Sequence, residues 1–331
     1  MVKRKKSSGA SQLVHKHFLL LLILFILGAF VLWFVFLVFK GRPVSKEKEN
    51  PKYSITNIWG EPAKDMYPHL TNPSYVSVKE ASEFVKDEDE VIGIKDGDEY
   101  KIFPNFILAF HHVVNETVNG IPMMIAYCCQ SDSAYAYSRV IDGKTYEFAA
   151  LGPMYYGNKV LYDLETESYF TQLTGEAFYG KLSGAKLNVA LPLVRSHFQD
   201  VKNLPIKVLK PEKEITFYRE WFERMREGES GLFALRQTKE EDKRLPPYTR
   251  GIGLRINNEQ KFYPLDLLSN DVVLNDIVGE KKIAIFYDKD LGAYRVIERE
   301  VKEEIFRVLE YTQVYWYAWA AFYPKTSIYD K

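Results

Sequence analysis

Between Val91 and Leu164 the chain alternates short apolar runs with turn residues. VIGIK, YKIF, IPMMIAYCC, SAYAYSRVI, KTYEFAAL and KVLYDL are strand-length, and DGD, NG, DG and GN punctuate them. The pattern changes over Glu212 to Met225, where Ile215, Tyr218, Trp221, Phe222 and Met225 fall at helical spacing among charges. A short helix is expected at SVKEASEF, Ser77 to Phe84, because Ser77 and Glu80 have capping-box spacing. In VYWYAWAAFYP, Val314 to Pro324, Trp316, Trp319 and Phe322 lie three apart among alanines, the pattern of a buried helix rather than of a sugar-stacking platform. The predicted class is mainly β, a β-rich α+β fold.

Phe18 to Phe39, FLLLLILFILGAFVLWFVFLVF, carries no charge and matches the roughly 20 residues that cross a bilayer core. It exceeds the roughly 7–15 apolar residues of a signal-peptide core, and no A-x-A site follows. A retained single-pass transmembrane helix over 18–39 is therefore expected, and the membrane is its partner. Residues 1–17 are basic and acid-free, which predicts a cytoplasmic tail and an extracytoplasmic body at the cell membrane. Residues 40–73 are polar and broken by proline at their start, as in a tether.

The formal charge is zero, yet Lys3, Arg4, Lys5, Lys6, Lys16 and Lys40 face no acid within the first 40 residues. The remainder is mildly acidic, with 38 basic and 44 acidic groups, which argues against nucleic acid as a partner.

A shift of 160 lays IGIKDGDEYKIFP, Ile92 to Pro104, on IGLRINNEQKFYP, Ile252 to Pro264. Further along, Val113 falls on Val273, Asn115 on Asn275, Val118 on Val278, Ile125 on Ile285 and Tyr127 on Tyr287. Two degenerate copies of one β-rich unit follow: a first repeat over 74–211, a helical connector over 212–250, and a second, shortened repeat over 251–331. Pairing Pro205 with Pro324 needs a shift of only 119, so roughly forty residues, Gly152 to Gly184 among them, have no counterpart. Nor do the chemical residues repeat. His111, His112, Cys128 and Cys129 fall on Asp271, Val272, Asp288 and Lys289.

YCCQSDSAYAYSR, GPMYYGNKVLYDLETESYFTQLTGEAFYGKLSGAKL and YWYAWAAFYPKTSIY resemble the blocks of the bacterial and archaeal family called domain of unknown function 3179. The likeness runs in order from about Val91 to Tyr329. It implies a secreted or anchored protein and no established activity. His111 falls on the His of the family's W-H-E-I-V-N-D run, His112 on its Glu, and Asn115 and Glu116 on N-D. Cys128 falls on the first Cys of Y-C-P-x-C, while Tyr162, Asp163, Ser168 and Gln172 match Y-D and S-x-W-x-Q, with Phe170 in place of Trp. Where a second Cys usually follows, this chain has Ser131, so no C-x-x-C pair is present.

If IPMMIAYCC is a strand, Cys128 shares a face with Met124 and Ala126, and Cys129 shares the other with Met123, Ile125 and Tyr127. A disulfide between them is disfavoured. Adjacent α-carbons lie about 3.8 Å apart and disulfides usually want about 4.4–6.8 Å. Cys129 reads as a small buried residue and His112 as a surface residue. His111 and Cys128, with Met154 as a soft third ligand, are the candidate metal ligands, for copper or zinc. Core packing is the plainer reading of Met123, Met124 and Met154. Cys128, His111 and Asp132 are the candidate catalytic set of a Cys-dependent hydrolase. The acids Asp132, Asp163, Glu165, Glu167 and Glu176 give a weaker signal for glycoside hydrolysis, since DLETES reads equally as a polar turn. Asn115-Glu116-Thr117 is a formal sequon but reads as a turn. The expectation is a membrane-anchored extracytoplasmic protein with a His/Cys pocket for a soft metal or small ligand. A non-catalytic binding or assembly module of the cell envelope is the alternative, and the hydrolase the third.

Overall fold

The computed structural model describes residues 50, 52–55, 58–59, 64, 66–227, 242–299 and 307–330. The expected tail and transmembrane helix lie outside them. Among the described residues no helix is long and apolar enough to cross a membrane.

The chain is mainly β, in a five-bladed, propeller-like arrangement. The first blade contains Tyr75–Val76, Glu90–Asp96, Glu99–Pro104, Val194–His197 and Ile206–Leu209. The second contains Leu70–Thr71, Val113–Val118, Ile121–Cys128 and Ser133–Ser138. The third is built from Ile58–Trp59, Phe148–Tyr155, Asn158–Asp163, Tyr169–Thr171 and Ala177–Tyr179. Arg250–Ile256, Glu259–Pro264, Tyr311–Tyr315 and Ser327–Ile328 form the fourth, and Leu274–Val278, Lys281–Asp288, Ala293–Glu298 and Arg307–Val308 the fifth. The helices are α1 (Val78–Ala81), α2 (Asn105–His111), α3 (Phe198–Val201), α4 (Ile215–Glu227) and α5 (Trp316–Phe322).

Local chemistry accounts for these elements. Ser77 and Glu80 form the capping box of α1. Asn119 and Gly120 both take positive φ, 51° and 73°, in the two-residue turn joining Val118 to Ile121. A type I′ hairpin requires that conformation at both positions, and Asn-Gly adopts it at little cost. Trp316 and Trp319 are buried on α5, as their spacing predicted.

The shift of 160 is a shift of strand register. Val91 pairs with Pro104, and Gly251 with Pro264. Val114 pairs with Ile125, and Leu274 with Ile285; Met123 pairs with Ser138, and Ile283 with Glu298. Where α2 follows the first hairpin, a single 3-10 turn, Leu265–Leu267, follows the second. Val194–His197 then returns antiparallel to Glu90–Asp96, as Tyr311–Tyr315 does to Arg250–Ile256. Ile206–Leu209 and Ser327–Ile328 close the two blades in parallel. The block without a counterpart is the third blade.

The expected tether is shorter than 40–73. Tyr53, Tyr67 and Leu70 are buried, Ile58–Trp59 adds to the third blade and Leu70–Thr71 to the second. Their apolar and aromatic side chains gain more from burial than a solvated linker offers.

Matched glycines test the repeat. A Cβ on Gly253 would lie 2.4 Å from the Trp319 ring, whereas one on Gly93 would lie 3.1 Å from the flexible tip of Ile102. Gly253→Ala is expected to cost about 1–3 kcal/mol by overpacking and Gly93→Ala less than about 1 kcal/mol, read by urea unfolding of the full chain. Equal costs would show that the two positions are not differently packed.

Candidate functional site

Cys128 closes the strand Ile121–Cys128, and both thiols are free and buried. Pleating sends their side chains to opposite faces. Met123, Ile125, Tyr127 and Cys129 enter the core shared with the first blade, while Met124 and Ala126 enter the one shared with the third blade and α5. Burial, then the neighbouring Cys128, pushes the Cys129 thiol up to about 12, so it is protonated at neutral pH and is a poor nucleophile. Cys128 stands near Tyr317 of α5. The Tyr317 hydroxyl donates to the carbonyls of Gln130 and Gly157, at 2.9 and 3.2 Å.

His111 ends α2 with both ring nitrogens engaged. Nδ1 lies 2.6 Å from the Pro68 carbonyl and Nε2 lies 2.9 Å from the Tyr218 hydroxyl of α4. Nδ1 therefore donates, Nε2 accepts, and burial holds the ring's pKa low. The histidine fixes α4 on the body.

His112, expected at the surface, is buried instead. Its positive φ of 58° turns the chain from α2 into Val113–Val118 and carries the imidazole inward. Nδ1 donates to the Tyr127 carbonyl at 2.9 Å, while Nε2 has no partner. The ring stands edge-on to Tyr67, with centroids 4.4 Å apart, and the buried Lys159 places Nζ 4.2 Å from the Tyr67 centroid. Burial, then Lys159, holds the His112 pKa well below its ordinary value.

Asp132 is not joined to this group. It follows Cys128 in a tight turn at φ 53°, and Oδ1 accepts from Arg195 Nη2 at 2.6 Å and from the Tyr127 hydroxyl at 3.2 Å. Oδ2 accepts from Arg250 Nε at 2.5 Å. Arg250 also forks onto Glu90, with 2.7 and 3.0 Å bonds. Burial opposes the Arg250 charge, but Asp132 and then Glu90 more than offset it and raise its pKa. Both carboxylate oxygens of Asp132 are thus engaged by guanidinium N–H groups.

The other family-marked polar side chains hold blades and turns. Asn115 lies in a strand, not the expected turn. It donates to the Phe148 carbonyl at 2.9 Å and accepts from the Phe148 amide at 3.0 Å, tying the second blade to the third. Gln172 donates to the carbonyls of Ala126 and Ser133, and its Oε1 accepts from Ser133 and Asn158. Asp163 accepts from the amides of Glu165, Thr166 and Ser168, which makes DLETES a capped turn. Glu116 accepts from the Tyr75 hydroxyl of the first blade at 2.6 Å. Glu176 accepts from Lys52 and Tyr53. Met154 is buried in the strand Phe148–Tyr155. Among the described residues, no three His, Cys, Asp or Glu side chains are grouped so as to hold a metal ion. Sequence reasoning missed Arg195, Arg250, Glu90 and Lys159, none of which sits in a local motif.

Two outcomes follow for these buried groups. At pH 8 the native full chain should leave both thiols unalkylated by iodoacetamide over hours, with two modified per chain in urea; a fast-reacting native thiol would show an activated cysteine. His112 should lower stability as pH falls from about 6.5 towards 5, because the unfolded imidazole takes a proton that the native one refuses. His112→Asn, which tolerates the left-handed backbone, should reduce that slope in urea unfolding at each pH, leaving the smaller share of His111, whose pKa burial also lowers; an unchanged slope would mean that His112 does not contribute to it.

No curated protein and no solved structure matches the chain. One family model does, described as "Protein of unknown function (DUF3179)", and it matches residues 64–326, from before the second blade's first strand to the end of α5 and beyond. The match takes in all five blades apart from short terminal strands, and the chain belongs to this family.

Proposed function

We propose that this chain is a non-catalytic binding module of the cell envelope. In this reading residues 18–39 anchor it in the membrane, residues 1–17 are cytoplasmic, and the propeller faces outward. Its body arose by duplication of a two-blade unit, the first copy having gained or kept a third blade. The observation that carries the reading is the use made of the family-marked polar side chains. His111, Asn115, Asp163 and Gln172 are all taken up by hydrogen bonds to backbone or to a neighbouring element. A reaction centre leaves such groups aimed at a space where a substrate can sit.

The geometry lends little to the soft-metal pocket at His111, Cys128 and Met154. His111 would have to give up Pro68 or Tyr218 to ligate. The hydrolase reading needs Asp132 to orient His111, but that carboxylate is engaged by Arg195 and Arg250.

Metal content separates these readings. The untagged full chain, purified reduced in detergent and equilibrated with zinc or copper(I), should retain less than about one ion per ten chains after gel filtration. His111→Gln should leave that content unchanged while lowering stability by about 1–3 kcal/mol, since Tyr218 and Pro68 lose a buried partner. Stoichiometric metal that disappears in both His111→Gln and Cys128→Ala would overturn the proposal.

A further inference from the structure

Among the described residues, one cavity carries three cations and a single acid on its wall. Arg255, near the end of Arg250–Ile256, lines a cavity of about 440 Å³ together with Lys281, Arg307 and Glu310. Two blades and a connecting stretch enclose it. The fourth supplies Arg255, and the fifth supplies Lys281 and Arg307. The stretch 189–192 bonds to the second blade through Ala190 N to Ala136 O and leads into Val194–His197 of the first. The volume lies within the roughly 300–1,000 Å³ of small-molecule sites.

Among the described residues that line this space, cations outnumber acids. Lys281 is paired with Glu298 at 2.7 Å. Arg255 forms no ion pair among the described residues; its side chain bonds the Tyr323 hydroxyl, and Tyr323, Tyr135 and Glu310 favour its charge against the effect of burial. Lys186 stands close enough that Arg255, after burial, depresses its ammonium. Glu310 lies close to both of these mutually repelling cations, Glu176 also faces Lys186, and Arg307 adds a third cation on the cavity wall. An incoming anion relieves that repulsion, and the planar guanidinium fork suits a carboxylate. Leu191, Pro192 and Val308 supply an apolar wall beside it.

We propose that this cavity binds a small organic carboxylate, with its charge on Arg255 and its apolar body against Leu191, Pro192 and Val308. The proposal rests on the binding-module reading and names its ligand class.

Calorimetric titration of the full chain in detergent, at fixed ionic strength, tests it with benzoate, hexanoate and glutarate. Benzyl alcohol supplies the apolar body without the charge, and inorganic phosphate the charge without the body. At least one carboxylate should bind saturably at one per chain, at least tenfold tighter than benzyl alcohol or phosphate. Arg255→Gln should weaken it at least tenfold, and Arg255→Lys by less. Should Arg255→Gln fail to fold, Leu191→Trp, which narrows the cavity and leaves the charge, should produce the same loss. Binding of none of the three carboxylates, equal binding of phosphate, or affinity unchanged in a folded Arg255→Gln or Leu191→Trp chain would each overturn the proposal. Any of these failures would leave the binding-module reading in place, because that reading stands on metal content and on the stability of His111→Gln.

Discussion

A single carboxylate, Asp132, ties three blades together. It sits in the turn that closes the second blade's Cys128–Ser133 hairpin, and it receives Arg195 from the first blade and Arg250 from the fourth. Arg250 in turn reaches Glu90, the first residue of a first-blade strand. Desolvating four charges costs several kcal/mol per ion, and only a complete set of short, forked bonds offsets that cost. The network therefore specifies how the strands start relative to one another. Arg250–Ile256 begins at this clamp and ends at the Arg255 cavity, so one strand links the two.

Away from the clamp, neutral hydrogen bonds do the same work between neighbouring blades. Asn115 reads the backbone of Phe148, and Gln172 reads the backbones of Ala126 and Ser133. Buried amides of this kind leave an unsatisfied backbone group when removed, so each junction depends on both partners. The thiols lie between these junctions as packing residues. Their burial and the saturation of His111 share one cause: the space around them is filled by protein, whereas Arg255 borders a cavity.

Much of this architecture was legible in the chain because it rests on local rules. Asn119-Gly120 dictates a tight hairpin, Ile215 to Met225 a one-sided helix, and the matched glycines and prolines a repeated register. The gap in the repeat showed how many residues lacked a partner, but not that they would build a blade of their own. The site was less legible. Arg195 and Arg250 meet Asp132 across 63 and 118 residues, and nothing in their own surroundings marks them. His112 reads as polar and exposed until the left-handed turn after α2 is known. Tyr53 and Tyr67 sit in a stretch that reads as a tether because their partners lie forty-five or more residues downstream, at His112, Ala150, Thr174 and Glu176.

The clamp is tested most directly by a double-mutant cycle on Asp132 and Arg250. Urea unfolding of the wild type, Asp132→Asn, Arg250→Met and the double variant yields the coupling between the two side chains. A favourable coupling of about 1.5 kcal/mol or more is predicted for a buried, hydrogen-bonded ion pair that joins two blades. Effects that add to within about 0.5 kcal/mol would contradict it, and would mean that this ion pair does not hold the two blades together.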